Sequence, residues 1–392
     1  MSAYTWPFAQ SFLVFLLIVL ISQSAATRLR SYLPMPLLYG VLFAAGFALG
    51  WLPRDLLLSA NMVAVGTIAF HVLVIHSGTM VNLPMLRKRK KETALCVAAA
   101  LIMTAVSLLV LPPLIGWDLA LLSPGAVVGG GASCAIGSRW VSNVRPEISF
   151  YPWMVFMFQG VFSIPAVTWA LKKETARLAA ELSQTAVPPP VPPQPREFGP
   201  VSKIPKQYKT PAYYLALIML VAVLNQVLQG TVLKNFHINL NITALLLGIL
   251  VGNLDLVDRA PLFQCDSYGL LILSLMGLMA NNLANTPLPA LLSLVGPVLI
   301  ALALGSLILM ACGWFLAKAL KLSPYAGVVL TMNSVMGFPV NQRLAAEAVA
   351  RAPEPLRDSL TGRLMPLLSM STMLVSNGLS VFLISILVVF VK

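Results

Sequence analysis

Charged residues make up only 10% of this 392-residue chain, against about 25% in ordinary soluble domains. With 58% of the residues hydrophobic, that deficit excludes a soluble fold, and no stretch between the apolar runs is long enough for a sizeable aqueous domain. Acids are scarcest: there are 13 Asp+Glu against 26 Lys+Arg, and none falls in the middle of an apolar run. A proton relay built on buried carboxylates is therefore disfavoured. Only three histidines occur, His71, His76 and His237, with no acidic pair to face them. The clustered acid/base or metal groups that a membrane-embedded lipid-modifying enzyme needs are missing, so the chain is read as not an enzyme. The four cysteines, Cys96, Cys134, Cys265 and Cys312, have no paired spacing, which supports neither a disulfide framework nor a zinc site. The net charge of +13 lies mainly between the apolar runs, as topology signals facing anionic lipid and not as a nucleic-acid surface.

What is present is a series of apolar runs long enough to cross roughly 30 Å of hydrocarbon as helices. Spans are expected at 8–26, 34–52, 59–83, 93–115 and 149–171, and again at 211–230, 239–254, 265–285, 290–317 and 364–391. The first lacks a basic flank and a cleavage site, so it reads as a retained span and not a signal peptide. Residues 172–210 open with Lys172, Lys173 and Arg177 in a helical stub and continue through Pro188, Pro189, Pro190, Pro192, Pro193 and Pro195. That composition describes an extended linker.

Two uncharged segments repeat in register. Leu122-Ser123-Pro124, followed by a glycine-rich run through Gly137, recurs as Leu322-Ser323-Pro324 running to Gly337. Charge placement decides how they sit, because Lys and Arg prefer cytoplasmic loops. If 119–148 and 322–363 are both re-entrant and the amino terminus is outside, 21 of 26 Lys+Arg are cytoplasmic, and only Arg54, Arg139, Arg145, Lys234 and Lys392 are not. If both segments cross, the split falls to 14 against 12. The expected fold is thus an all-α polytopic membrane protein of two inverted-topology repeats, 1–171 and 211–392, each of five spans with a re-entrant hairpin, joined by a cytoplasmic linker. Repeats on this scale point to a secondary transporter working by alternating access. A proton-coupled carrier or exporter of another solute, a passive channel, a structural subunit and, from a different class, a membrane-embedded lipid-modifying enzyme are the alternatives.

Non-helical backbone at membrane depth is tolerated only where it lines a cavity or is buried in protein. Gly129-Gly130-Gly131 followed by Ala132-Ser133 is expected to form such a break, since glycine permits close ligand approach; the alternative is that it only lets helices pack. In the second copy, Thr331-Met332-Asn333-Ser334-Val335-Met336-Gly337 sets amide and hydroxyl groups in apolar surroundings. Ser133 and Asn333 occupy equivalent places, and hairpins meeting tip to tip would bring them together near the midplane. Candidate substrate contacts are Gly130, Gly131, Ser133, Asn333, Ser334 and Gly337. Arg139 and Arg343 either offset an anionic charge or mark the aqueous mouths of the hairpins. Candidate ion-coupling groups are Gly129, Ser133, Thr331, Asn333 and Asn281, because carbonyl, amide and hydroxyl oxygens coordinate sodium without an acid. His76 is the alternative for proton coupling, or a packed histidine. Gln159, Ser163, Thr168, Ser376 and Asn377 either line a pathway or join helices.

The order of elements resembles that of the bacterial sodium/glutamate symporters across nearly the whole chain. Local matches are Leu33-Pro34-Met35-Pro36 leading into a small-residue span, the Gly129–Gly131 loop ending at Trp140, Ile164-Pro165-Ala166-Val167, and Arg363-Leu364-Met365-Pro366-Leu367. The family's first-loop core of Gly-Gly-His-Gly-Thr is replaced here by Gly129-Gly130-Gly131-Ala132-Ser133, and its histidine-centred second loop by Met332-Asn333-Ser334. The resemblance implies sodium-coupled symport of glutamate or a related small organic anion, no cofactor beyond the coupling sodium, a homodimer through scaffold helices, and residence in a bacterial inner membrane.

Overall fold

The structure is a computed structural model describing residues 4–29, 33–184, 200–235, 238–336 and 340–392. Gly337, His237 and the prolines 188–195 lie outside the described residues. Among those described, the chain is helical throughout with no strand, and seven helices are long and apolar enough to cross a membrane. The first half contains α1 (Phe8–Arg28), α2 (Met35–Ala48), α3 (Met62–Met80), α4 (Lys90–Val110), α5 (Trp117–Val127), α6 (Gly131–Val144) and α7 (Tyr151–Gln184). The second half contains α8 (Pro211–Gly230), α9 (Leu240–Asn253), α10 (Tyr268–Asn285), α11 (Leu288–Ala319), α12 (Pro324–Met336), α13 (Val340–Val349) and α14 (Arg357–Ser371). A π-helical segment, Thr372–Leu379, then leads from α14 into α15 (Ser380–Leu387).

Each of the ten expected spans holds a helix, but several boundaries differ for local reasons. Helices α2 and α9 have only 14 residues each, about 21 Å at 1.5 Å per residue and short of a full crossing. Gly50, with φ of +71°, turns the chain after α2, and Asp255, with φ of 52°, does so after α9. Proline sets α4's end, since Pro112 and Pro113 start a separate turn and cannot continue its hydrogen bonding. Helix α7 instead runs unbroken to Gln184. The expected helical stub is therefore continuous with the span, stabilised by good helix formers and the Arg177–Glu181 pair four residues apart.

The helices form two bundles, each drawn from both halves. In one, α3 is wedged between α9 and α10, with α1, α2 and α8 around them. Small residues let the backbones approach: a Cβ on Gly78 would lie 2.5 Å from the Leu245 carbonyl oxygen, and one on Gly66 2.6 Å from that of Ser274. Such contacts give membrane helices van der Waals packing where lipid offers no hydrophobic drive. The other bundle packs α4, α7 and α11 around the broken elements α5/α6, α12/α13 and α14/α15.

The two Leu-Ser-Pro serines anchor their segments to widely separated points on α7, its first residue and a position ten residues before its end. Ser123 bonds the Tyr151 hydroxyl at 2.6 Å, and Ser323 donates to the buried Glu174 carboxylate at 2.5 Å. Tyr151 and Glu174 are 23 residues apart on one helix, about 35 Å at 1.5 Å per residue. Helix α7 and the α14/α15 helix run antiparallel. Arg363, near the start of α14, pairs with Glu181 near the end of α7 at 3.0 Å, while the Lys392 amide meets Asp118, beside the start of α5, at 3.3 Å. Trp169, Trp314 and Tyr325 cluster at the Ser323 end, the amphipathic aromatics expected at a membrane–water interface.

Glu174 accepts from Ser323 and, at 2.7 Å, from Arg177. Replacing it by alanine leaves the Ser323 hydroxyl without this acceptor, and about 1–3 kcal/mol of stability is expected to be lost. Glu174→Gln keeps an acceptor and is expected to lose less. Thermal unfolding of the two detergent-solubilised variants checks the order.

Candidate functional site

In the first broken element, α5 ends at Val127 and α6 begins at Gly131, leaving Gly129 and Gly130 non-helical between two apolar half-helices. The first bond of α6 runs from the Cys134 amide to the Gly130 carbonyl at 3.2 Å, which the Ser133 hydroxyl joins at 2.8 Å. No side chain caps the helix start, so its leading N–H groups carry the positive end of the helix dipole into the protein. Gly129 is required by space, because a Cβ there would collide with Ser133 Oγ and the Gly125 carbonyl.

The second broken element is polar where the first is glycine-rich. Asn333, fully buried on α12, has two hydrogens on Nδ2 and three acceptors facing them, the Leu368 carbonyl at 2.9 Å, Ser371 Oγ at 2.5 Å and Thr372 Oγ1 at 3.0 Å. Asn341, buried on α13, donates to the same Thr372 Oγ1 at 3.0 Å. Asn333 Oδ1 is buried with no hydrogen-bond partner.

Both breaks meet the π-helical segment. Thr372 takes the bonds of the second, and a Cβ on Gly130 of the first would lie 3.7 Å from Ser376 Oγ. Thr372 and Ser376 are four residues apart, so one face of this segment joins the two hairpin regions. A π-helix leaves the backbone under-wound and is frequent at functional sites. Beside it is a cavity of about 360 Å³. Met80 and Phe263 line it from the first bundle, and Asn341, Gln342, Ser369, Thr372 and Met373 from the second. The cavity therefore lies between the bundles.

Of the residues singled out in the sequence, Gly130, Ser133 and Asn333 adjoin this junction. Gly131 is packed 3.2 Å, in Cβ position, from Leu275. Thr331 is spent on structure: its hydroxyl donates to the Leu309 carbonyl at 2.8 Å. Ser334 likewise donates to the Thr331 carbonyl at 2.6 Å. Asn281 keeps a buried Oδ1 without a partner, and its neighbour Asn282 bonds Ser138 across the bundles at 3.0 Å. His76 is packed between Phe263 and Tyr268, with Nδ1 accepting from the Leu262 amide at 3.4 Å and Nε2 unpartnered. Neither arginine lines the cavity. Arg139 is exposed, and Arg343 is held by Glu347 at 3.0 Å and by Thr27 at 3.2 Å.

Thr372, Ser371, Asn341 and Glu174 were not singled out from the sequence. A signal existed for the first two, since Ser369, Ser371, Thr372 and Ser376 crowd hydroxyls into an apolar run. For Asn341 and Glu174 the signal was hidden, because each stands beside charged residues, Arg343 for one and Lys172, Lys173 and Arg177 for the other, that read as solvated. Among the described residues no group of three or more His, Cys, Asp or Glu could hold a metal ion. No family model matches the chain, and neither does any curated protein.

Proposed function

We propose that this protein is a secondary active transporter that moves a small carboxylate-bearing solute with sodium by alternating access. The observation that carries the reading is the cavity between two bundles, each built from both halves, with amides and hydroxyls in its wall at the point where the helices of one bundle are broken. Non-helical backbone at membrane depth is tolerated where it lines a cavity or is buried in protein; here it adjoins the cavity, and relative motion of two bundles exposes such a site to either side. On this reading the two Leu-Ser-Pro segments are the bases of re-entrant hairpins inserted from opposite faces. Their anchorage about 35 Å apart along α7, and the antiparallel run of the two final helices, support that inverted arrangement. The loop Arg87–Lys91 and the linker are then cytoplasmic in a bacterial inner membrane. Distant kinship with the sodium/glutamate symporters and a homodimer through the first bundle belong to the same proposal. The amide, hydroxyl and carbonyl oxygens around Asn333, Thr372 and Gly130 are the groups that would coordinate sodium.

Purified protein in proteoliposomes is expected to accumulate labelled amino acids or hydroxycarboxylates saturably under an inward sodium gradient. Thr372→Val, which keeps shape but removes the hydroxyl shared by two asparagines, is expected to lower that uptake about tenfold, the effect of roughly 1.4 kcal/mol. Flux that ignores sodium and follows a pH gradient would transfer coupling to His76, whose buried, unpartnered Nε2 favours this second reading. Flux that does not saturate would make the protein a channel.

A further inference from the structure

We infer that the solute carried through this site is net-neutral and amphipathic, of the size of an amino acid with a thioether, aromatic or branched side chain, and is not a dicarboxylate. The inference rests on the transport reading above and narrows its cargo. The cavity of about 360 Å³ falls in the range of small-molecule sites, and its wall has two characters. Asn341, Gln342, Ser369 and Thr372 contribute amides and hydroxyls, while Met80, Phe263 and Met373 contribute polarisable apolar surface. None of the described residues lining it is ionisable.

The polar part suits a zwitterionic head. Thr372 Oγ1 faces the amide nitrogens of both Asn333 and Asn341; when both donate to it, its lone pairs are filled and its hydrogen is left for an acceptor such as a carboxylate oxygen. The exposed Gln342 side chain, on the first turn of α13, adds both a donor and an acceptor. A zwitterion carries its own counter-charge to this neutral wall, and the methionines and Phe263 receive its side chain, thioether against ring being a favourable contact. A second carboxylate has no such partner, and burying one unpaired is costly. The arginines adjoining the wall in sequence are engaged elsewhere: Arg343, next to Gln342, with Glu347 and Thr27, and Arg259, next to the lining residue Ala260, with Asn253 Oδ1 at 3.3 Å.

Sodium-driven uptake of labelled L-methionine and of labelled L-glutamate into proteoliposomes, each competed with L-leucine, L-phenylalanine, L-glutamate and L-aspartate, tests this. Methionine is expected to accumulate, and leucine or phenylalanine to compete at concentrations at least about tenfold lower than glutamate. Met373→Lys, which adds a cation to the wall, is expected to reverse that order, with Met373→Leu as the variant that preserves packing. Accumulation of glutamate with no competition by the apolar amino acids overturns the inference while transport stands. Accumulation of neither, under sodium or pH gradients, overturns the transport reading and the inference with it. Should Met373→Lys fail to fold, the order of competitors in the unaltered protein decides alone.

Discussion

Replacing Gly327 by valine is expected to leave little or no monodisperse protein after solubilisation. Gly327 sits on α12 where it crosses α11, and a Cβ there would overlap the Gly313 carbonyl oxygen and approach the Ala317 Cβ to 2.5 Å. The first obstacle is backbone of a 32-residue helix, so no rotamer change relieves it. Overpacking of a close-packed interior costs about 1–3 kcal/mol and occasionally more; with two helix backbones forced apart, a loss above about 3 kcal/mol is expected here. The effect should reach the site, because α12 carries Asn333 six residues further on. Gly296 and Gly362 are the controls, since a Cβ on either meets nothing within 4 Å. Alanine at those positions is expected to be neutral or stabilising by up to about 1 kcal/mol, the difference in helix propensity. Yield by size-exclusion chromatography and the thermal midpoint, measured for all three variants, check the contrast.

The second large effect is expected at Asn333. Its amide nitrogen faces three acceptors, the Leu368 carbonyl and the hydroxyl oxygens of Ser371 and Thr372. It has two hydrogens to give, so the hydroxyls must share in the network. Asn333→Leu fills similar space and removes every one of these bonds. A buried acceptor left unmet costs about 1–3 kcal/mol, and Ser371 retains an alternative in the Leu368 carbonyl at 3.2 Å, which limits the damage to folding. Function has no such reserve, because Thr372 is then held by Asn341 alone beside the cavity. Solute-driven uptake is expected to fall about a hundredfold, equivalent to roughly 2.8 kcal/mol, with the protein still monodisperse. Asn333→Gln, which keeps the amide on a longer arm, is expected to restore part of the rate. Equal loss in both variants, with unfolding, would reduce Asn333 to a packing role.

These two positions also mark what could be read from the chain and what could not. The ten helices were legible because runs of apolar residues of bilayer length are a strong signal, and Gly129–Gly131 announced its break by composition. Asn333 was legible as a polar residue in an apolar run. The partners that use it were less so: Thr372 and Ser371 lie 38 to 39 residues away in a span that reads as an ordinary helix. Nothing in single-sequence periodicity distinguishes a π-helical segment from the α-helix around it, since both present the same apolar pattern. Helix α2 reads in sequence as longer than it is because hydropathy continues through Leu49 and Trp51, while the positive φ of Gly50 turns the chain away. Glu174 escaped notice for the opposite reason: beside Lys172, Lys173 and Arg177 it reads as solvated charge, whereas the fold buries it against Ser323. In sequence Arg343 reads as a partner for an anion, whereas in the fold Glu347 one turn later takes it in an ordinary pair four residues apart.

Alternating access through the cavity between the bundles is tested most directly by thiol accessibility at Gln342, which lines that cavity. With Cys96, Cys134, Cys265 and Cys312 replaced, Gln342→Cys in oriented vesicles is expected to react with a membrane-impermeant maleimide from the face that carries Arg87–Lys91. Solute and sodium added together are expected to slow that reaction at least about tenfold, and neither alone should do so. A labelling rate unchanged by solute and sodium, from either face, would contradict a transport site at this position.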